Sequence, residues 1–313
     1  MIVAACCIPF QGNASTERCA SDWTTNPVQF ESVIQYDDMQ SKANPTVHVL
    51  VNGKSAKMML DTGANVNVLW NASLLDESLG PDSHRLDAHV ASADSKTLTV
   101  ALADDRGSAL RQEFYVVPDS VLAADGYSGI VSPQAVAHGS AVVIDFEKNC
   151  FFTSSPFDIR SDKDLDVHRG ATIPNPYGVM GIPVELDGKK IPLVVDTGAS
   201  VTTILASLVD AKPQGQKSAR AIDLLGAEIV QGENMRFVDL DINGKVFGSH
   251  PVVPQLAIHD KGIVAFGFIG MDILKNHVIY HDGTNKVFIL LTRERAAKHI
   301  VGERRGSADE STQ

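Results

Sequence analysis

Cysteine is scarce in this chain: four among 313 residues, Cys6, Cys7, Cys19 and Cys150. Four are too few for a disulfide framework, although a single bridge such as Cys19–Cys150 stays open. None are spaced C-x-x-C, which argues against a zinc ribbon or a redox dithiol. No H-E-x-x-H pair, no G-x-S-x-G elbow and no G-x-x-x-x-G-K loop occurs, so zinc-hydrolase, serine-hydrolase and phosphate-loop chemistry lack their residues. No apolar run approaches the ~20 residues of a membrane span. Positive charge is in deficit, with 27 Lys and Arg against 38 Asp and Glu and a net charge of −11. A nucleic-acid partner would require a basic face, so none is expected. Long segments of 3.6-residue periodicity are also scarce.

What remains are short runs of Val, Ile, Leu and Phe bounded by Gly, Asp and Pro, the pattern of a mostly-β protein. The length suits one large or two medium domains. An internal repeat decides for two. A shift of 135 residues lays 47–69 on 182–204 without gaps: Gly53-Lys54 falls on Gly188-Lys189, and Asp61-Thr62-Gly63-Ala64 on Asp196-Thr197-Gly198-Ala199. Asn52-Gly53 and Asp187-Gly188 signal a two-residue hairpin turn ahead of each motif. Downstream, "SGIVSPQAVAHGSAVVIDF" (128–146) is similar to "FGFIGMDILKNHVIYHD" (266–282). The division is therefore an N-terminal tail at 1–30, a first lobe at 31–159, a polar linker at 160–178, a second lobe at 179–295 and a charged tail at 296–313.

In "MMLDTGANVNVLW" (58–70) and "LVVDTGASVTTIL" (193–205) an apolar strand delivers an aspartate into a tight turn. One D-T-G alone reads equally well as an Asp capping its own turn. Two copies in duplicated halves change that, because such halves pack about a pseudo-two-fold axis. Asp61 and Asp196 then face each other, and two adjacent carboxylates cannot both ionise, so they share one proton. One is a base and the other an acid at the same pH.

Both stretches resemble the active-site motif of aspartic proteases of the pepsin and retropepsin clan, and "FIGMDIL" (268–274) resembles that family's apolar-apolar-Gly element under the catalytic loop. Trp70 following the first motif is similar to the pepsin group, and the alanines at 64 and 199 to the retroviral branch. The resemblance covers about 45–150 and 180–292. It implies a two-lobed all-β fold in a bacterial single-chain protein with two retropepsin-like domains. It implies an aspartic endopeptidase without metal or organic cofactor, acting on peptide or protein substrates, with one chain sufficient for activity. Asp61 and Asp196 would hold the hydrolytic water, Thr62 and Thr197 would hydrogen-bond across the axis, and Gly63 and Gly198 would offer amides to the carboxylates beside Ala64 and Ala199. The rival readings are a peptide-binding module of the same fold without turnover, and a dimer in which each lobe pairs with another chain.

Departures from the family pattern are as informative. Counting back from the following strand, Ser132 stands where Gly270 stands in the second lobe, with Gly129 as the alternative in a shifted register. Flap hairpins are expected at 89–100 and 221–232. Neither contains a tyrosine, and Leu224-Leu225-Gly226 is the expected substrate cover. Alanine at 64 and 199 cannot hydrogen-bond the outer oxygen of the pair, which predicts a mildly acidic optimum. His277 and His281 are expected in loops or at the surface, Asp272 as a helix cap or a support of the loop, and Lys189-Lys190 on an exposed hairpin. The start, Val3-Ala4-Ala5 before Cys6, resembles the end of a bacterial lipoprotein signal and suggests the cell envelope, periplasmic or lipid-anchored, or secretion. A frayed N-terminal tail is the plain alternative.

Overall fold

The computed structural model describes residues 19–293 apart from 71, 76–82, 88–91, 105, 118–119, 160–164, 176–177, 211, 213, 217–218, 227, 232–233 and 256–264. The stretch containing Cys6 and the charged tail at 296–313 lie outside the described residues.

Each lobe is built from its hairpin outward. In the first, the strand Thr46–Val51 turns on Asn52 (φ 49°) and Gly53 (φ 82°) into Lys54–Leu60, with Val51 opposite Lys54. In the second, Gly181–Leu186 turns on Asp187 (φ 45°) and Gly188 (φ 80°) into Lys189–Val195, with Leu186 opposite Lys189. Two positive φ values in a two-residue loop give the turn whose twist matches its strands, which is why Asx-Gly occupies both places. Lys189 and Lys190 are exposed, as expected.

The second strand of each hairpin ends at a motif aspartate. There it runs parallel to a short downstream strand, Leu60 beside Val131 and Val195 beside Ile269. That short strand is antiparallel to the segment after the motif, Asn67–Leu69 or Thr203–Leu205. The D-T-G loop therefore hangs between buried strands that fix both its ends. Gly129 (φ 154°) and Gly267 (φ 152°) begin these short strands, and a Cβ on either would lie 2.0 Å from the carbonyl oxygen of Val68 or Thr203. No other residue type fits.

A run of six antiparallel strands joins the lobes, in the order Leu165–Ala171, Val287–Arg293, Val278–Asp282, Ala141–Asp145, Cys150–Ser154 and Val28–Gln35. Its seam pairs Tyr280 of the second half with Val143 of the first. Phe152, Tyr280, Ile289 and Leu291 are buried on one face of it. The carboxylate of fully buried Asp145 accepts from Arg293 Nη1 at 3.0 Å and Nη2 at 2.6 Å and from Trp23 Nε1 at 3.2 Å, tying the turn after Cys19 and the strand Val287–Arg293 to the first half.

Two expected boundaries change. The tail assigned to 1–30 includes a 3-10 turn at Cys19–Asp22, and the strand Val28–Gln35 begins before residue 31. Cys19 is disulfide-bonded to Cys150, and Ala20 is buried, so the part of this segment from residue 19 is anchored to the first lobe. The linker at 160–178 contains the strand Leu165–Ala171, paired along its whole length with Val287–Arg293. It is an edge strand, and its Asp166, His168 and Arg169 are the polar residues such an edge tolerates. The same polarity made the sequence look like a connector.

Candidate active site

Asp61 and Asp196 meet. A Cβ built on Gly63 would lie 2.7 Å from Asp196 Cγ, and one on Gly198 3.1 Å from Asp61 Oδ2. Only glycine after Asp-Thr lets each loop approach the opposite carboxyl this closely. The two carboxyls lie close enough that each perturbs the ionisation of the other. Each also accepts from an amide of its own loop: Gly63 N to Asp61 Oδ1 and Gly198 N to Asp196 Oδ1, both 2.8 Å.

The threonines lock the loops across the axis. Thr62 N donates to Thr197 Oγ1 at 3.0 Å, and Thr197 N to Thr62 Oγ1 at 3.1 Å. Each hydroxyl then donates to the facing lobe, Thr62 to Val195 O at 2.7 Å and Thr197 to Leu60 O at 2.5 Å. Both threonines are fully buried, so every polar atom in the lock is satisfied without water. Ala64 and Ala199, also buried, close the turns.

Burial pushes both aspartates above the ordinary carboxylate range, and the charge of Asp61 pushes Asp196 well beyond that. Amides and a partner hydroxyl favour ionisation of the first member, while like-charge repulsion blocks the second. The pair therefore titrates as a unit that retains one proton over a wide pH range.

Beneath the loops the lobes differ. Ser132 stands opposite Gly270 in the superposed pattern, and Gly129 has its own counterpart in Gly267. Ser132 Oγ donates to Ala64 O at 2.7 Å and caps the helix Pro133–Ala137, while its amide donates to Asn67 Oδ1 at 2.9 Å. In the second lobe Gly270 N donates to Thr202 Oγ1 at 3.2 Å, and Met271 N to Ala199 O at 2.8 Å. Asp272 Oδ1 accepts from Thr202 N and Oγ1, both at 2.8 Å, and His250 Nε2 lies 3.4 Å from Oδ2. These donors hold Asp272 below the usual carboxylate range against the opposing effect of burial. In the first lobe neutral Gln134 takes the corresponding place and donates to Thr62 O at 2.7 Å. Spacing did not single out Gln134; its signal was its position two residues after Ser132.

Both flap segments form hairpin strands, His84–Asp87 with Ser92–Ala103 and Ala219–Ile222 with Glu228–Gln231, and residues 88–91, 227 and 232 lie outside the described set. The tip of the second, Asp223–Gly226, contacts the first lobe, with Trp70 Nε1 donating to Leu224 O at 2.9 Å. The sequence named Trp70 and Leu224 separately and gave no sign that they touch.

Among the described residues one cluster has metal-ligand composition, Cys19, Asp145 and Cys150. Its sulfurs are joined in the disulfide and its carboxylate is engaged by Arg293 and Trp23. His281 stands within the strand Val278–Asp282, against the loop-or-surface expectation, whereas His277 lies in the bend before it, in a loop as expected but not at the surface. His277 is buried with Nδ1 2.7 Å from Ile273 O, and burial lowers its pKa. Burial likewise takes His281 down to about 4. Neither imidazole reaches the paired aspartates through any contact among the described residues.

Residues 182–273 match the family model described as aspartyl protease. No curated protein matches the chain. Among solved structures, the aspartic proteinase from Irpex lacteus aligns over 86% of this chain and 98% of its own, with a TM-score of 0.56 and 14% identity. At that identity the likeness is one of fold, and it extends over both lobes and the joining sheet. The second lobe thus matches the aspartyl protease family model, and the chain as a whole has the two-lobed all-β fold of a pepsin-like aspartic proteinase.

Proposed function

We propose that the chain is an active aspartic endopeptidase with Asp61 and Asp196 as its catalytic pair. The single observation that carries this reading is the contact of two buried carboxyls, one from each lobe, whose environment favours one shared proton. In hydrolysis the ionised member takes a proton from the attacking water as its oxygen bonds to the peptide carbonyl carbon. The protonated member gives its proton to the carbonyl oxygen, and a gem-diol forms. Collapse breaks the C–N bond, with a proton delivered to the leaving nitrogen, and releases an acid and an amine. No redox step or electrophilic cofactor is required.

The substrate is an extended peptide, held by strand-like hydrogen bonds between the lobes. One chain supplies both carboxyls, so a monomer suffices. The Cys19–Cys150 disulfide supports an oxidising compartment, the cell envelope or the exterior. The test is cleavage of a denatured protein mixture by the wild type, Asp61→Asn and Asp196→Asn. Each variant is expected to lose about 10³-fold in rate, the middle of the range that one acid or base contributes. Turnover by either variant at the wild-type rate, or peptide binding by the wild type without any cleavage, would sink the reading.

A further inference from the structure

The second active loop is fastened through a charge, and the first is not. In the second lobe Asp272 Oδ1 accepts from Thr202 N and Oγ1, and Thr202 Oγ1 accepts in turn from Gly270 N. Asp196 N donates to Ile269 O at 3.0 Å and Met271 N to Ala199 O at 2.8 Å. Together these bonds hold the segment from Asp196 to Thr202 onto residues 269–272. Asp272 is the one member that bonds through an ionisable side chain.

A carboxylate taken out of water needs a counter-charge. The side chains of Asp272 and His250 are only 13% and 15% exposed, and His250 Nε2 lies 3.4 Å from Asp272 Oδ2. Nε2 is buried and has no hydrogen-bond partner elsewhere among the described residues. His250 stands on the strand Lys245–Gln255, which pairs in parallel with Thr203–Leu205 just beyond the loop. The ring of Phe247 packs against it with centroids 6.3 Å apart, and the same ring packs against His277 at 5.6 Å. The charged groups felt at His277 are Lys245, Glu147 and His168. Glu147 is paired with Arg293, so Asp272 is the acid that His250 meets.

The first lobe solves the same problem with neutral groups. Val68 pairs with Tyr115 as Thr203 pairs with Val253, so three residues earlier on each strand Gln112 stands where His250 stands. Gln112 Nε2 donates to Val136 O at 3.3 Å, and Gln134 takes the place of Asp272. Neither amide ionises.

We propose that His250 is a positioning residue for the second active loop: its imidazolium compensates buried Asp272, and loss of its proton loosens the tie through Thr202 that keeps Asp196 in place. This rests on the proteolytic reading of Asp61 and Asp196. An imidazole ordinarily changes charge between about pH 5 and 8. Asp272 stays charged across that range, because His250 and Thr202 outweigh the upward push of burial. Turnover therefore carries a second alkaline ionisation besides that of the aspartate pair.

The test is a cycle of His250→Gln, Asp272→Asn and the double variant in the full chain. His250→Gln copies the first lobe but leaves Asp272 without its counter-charge, while Asp272→Asn keeps an oxygen that accepts from Thr202. On a peptide substrate at pH 5, His250→Gln is expected to lower kcat about tenfold with KM within about twofold, as for a slightly displaced catalytic group. The double variant is expected to recover to within about threefold of wild type and to lose the imidazole step from its alkaline limb. Wild-type kcat in His250→Gln, a double variant no faster than the single one, or an unchanged alkaline limb in the double variant overturns the positioning role. The urea midpoint at pH 5, which needs no turnover, is expected to fall in His250→Gln and to recover in the double variant, and additive losses overturn the pairing. Absence of any Asp196-dependent cleavage in the parent defeats the proteolytic reading and the positioning role with it, while the urea cycle still decides whether His250 compensates Asp272.

Discussion

Ser132 and Gly270 occupy equivalent positions under the two active loops, yet only one has room for a side chain. Ser132, at ψ 117°, places its hydroxyl on Ala64 O, whereas at Gly270, with ψ −178°, a Cβ would lie 2.4 Å from Val201 C and 2.5 Å from its oxygen. The lobes have diverged at this point in backbone as well as residue. Exchange is therefore asymmetric. Ser132→Gly is expected to cost about 1–2 kcal/mol, nearly all of it from the lost bond to Ala64 O, because glycine replaces a capping serine for only a few tenths. Gly270→Ser forces the Val201–Thr202 backbone to move and is expected to remove both folding yield and activity. Urea midpoints of the two variants check this, and equal stability would refute it.

The threonine lock predicts a steep dependence on hydroxyls at the centre of the molecule. Thr197→Ala deletes an acceptor for Thr62 N and a donor for Leu60 O in a site from which water is excluded. Leaving both buried groups unpaired is expected to cost about 2–4 kcal/mol. Thr197→Ser, which keeps the hydroxyl, is expected to restore most of that loss. Thermal midpoints of the pair separate a hydrogen-bond effect from lost packing.

The hairpins, the motif loops and their pairing were legible because each rests on local chemistry: Asx-Gly for a positive-φ turn, an apolar strand before Asp, and a repeat at constant spacing. What escaped were relations between distant segments. Leu165–Ala171 looked like a linker because an edge strand carries the same charges as a loop. A Cys19–Cys150 bridge was open from the sequence, but nothing local could decide it across 131 residues. His277 looked exposed because nothing local announces the carbonyl of Ile273 or the packing of Phe247 against its ring. The Trp70–Leu224 contact depends on how one lobe lies against the other, which no window of sequence encodes.

Closing a loop of this length with the Cys19–Cys150 bond removes entropy from the unfolded chain worth about 5 kcal/mol in the chain-entropy model. The bond also secures the 3-10 turn whose Trp23 reaches Asp145. Reduction, or Cys150→Ser, is expected to lower Tm while leaving the paired aspartates in place. Calorimetry with and without reductant measures the change, and an unaltered Tm would show that the bridge contributes nothing.

The buried aspartates should weaken the fold at neutral pH. Their folded-state pKa values are raised, so the stability they contribute is present below the ordinary carboxylate pKa and is lost as pH rises through the raised values. Asp196→Asn removes that loss and is expected to have a higher Tm than wild type at pH 7, with the difference vanishing at pH 3. A variant that is less stable than wild type at pH 7 would contradict the shared-proton description.

On the proposed mechanism the same pair sets the activity profile. Turnover requires one proton on the two carboxyls, so the rate falls on the acid side as the second proton binds and on the alkaline side as the last proton leaves. Asp196 is raised well above the carboxylate range by burial and by Asp61, which carries the alkaline limb upward. On the acid side, Ala64 and Ala199 give the outer oxygens no hydroxyl donor that would keep the ionised member from protonating early. Both effects point to a mildly acidic optimum. Introducing Ala64→Ser with Ala199→Ser supplies such donors and is expected to move the acid limb of kcat/KM to lower pH while the alkaline limb moves less. A wild-type profile peaking near pH 2, or a double-serine variant with an unmoved acid limb, would show that the pair is tuned by something other than its burial and its missing hydroxyls.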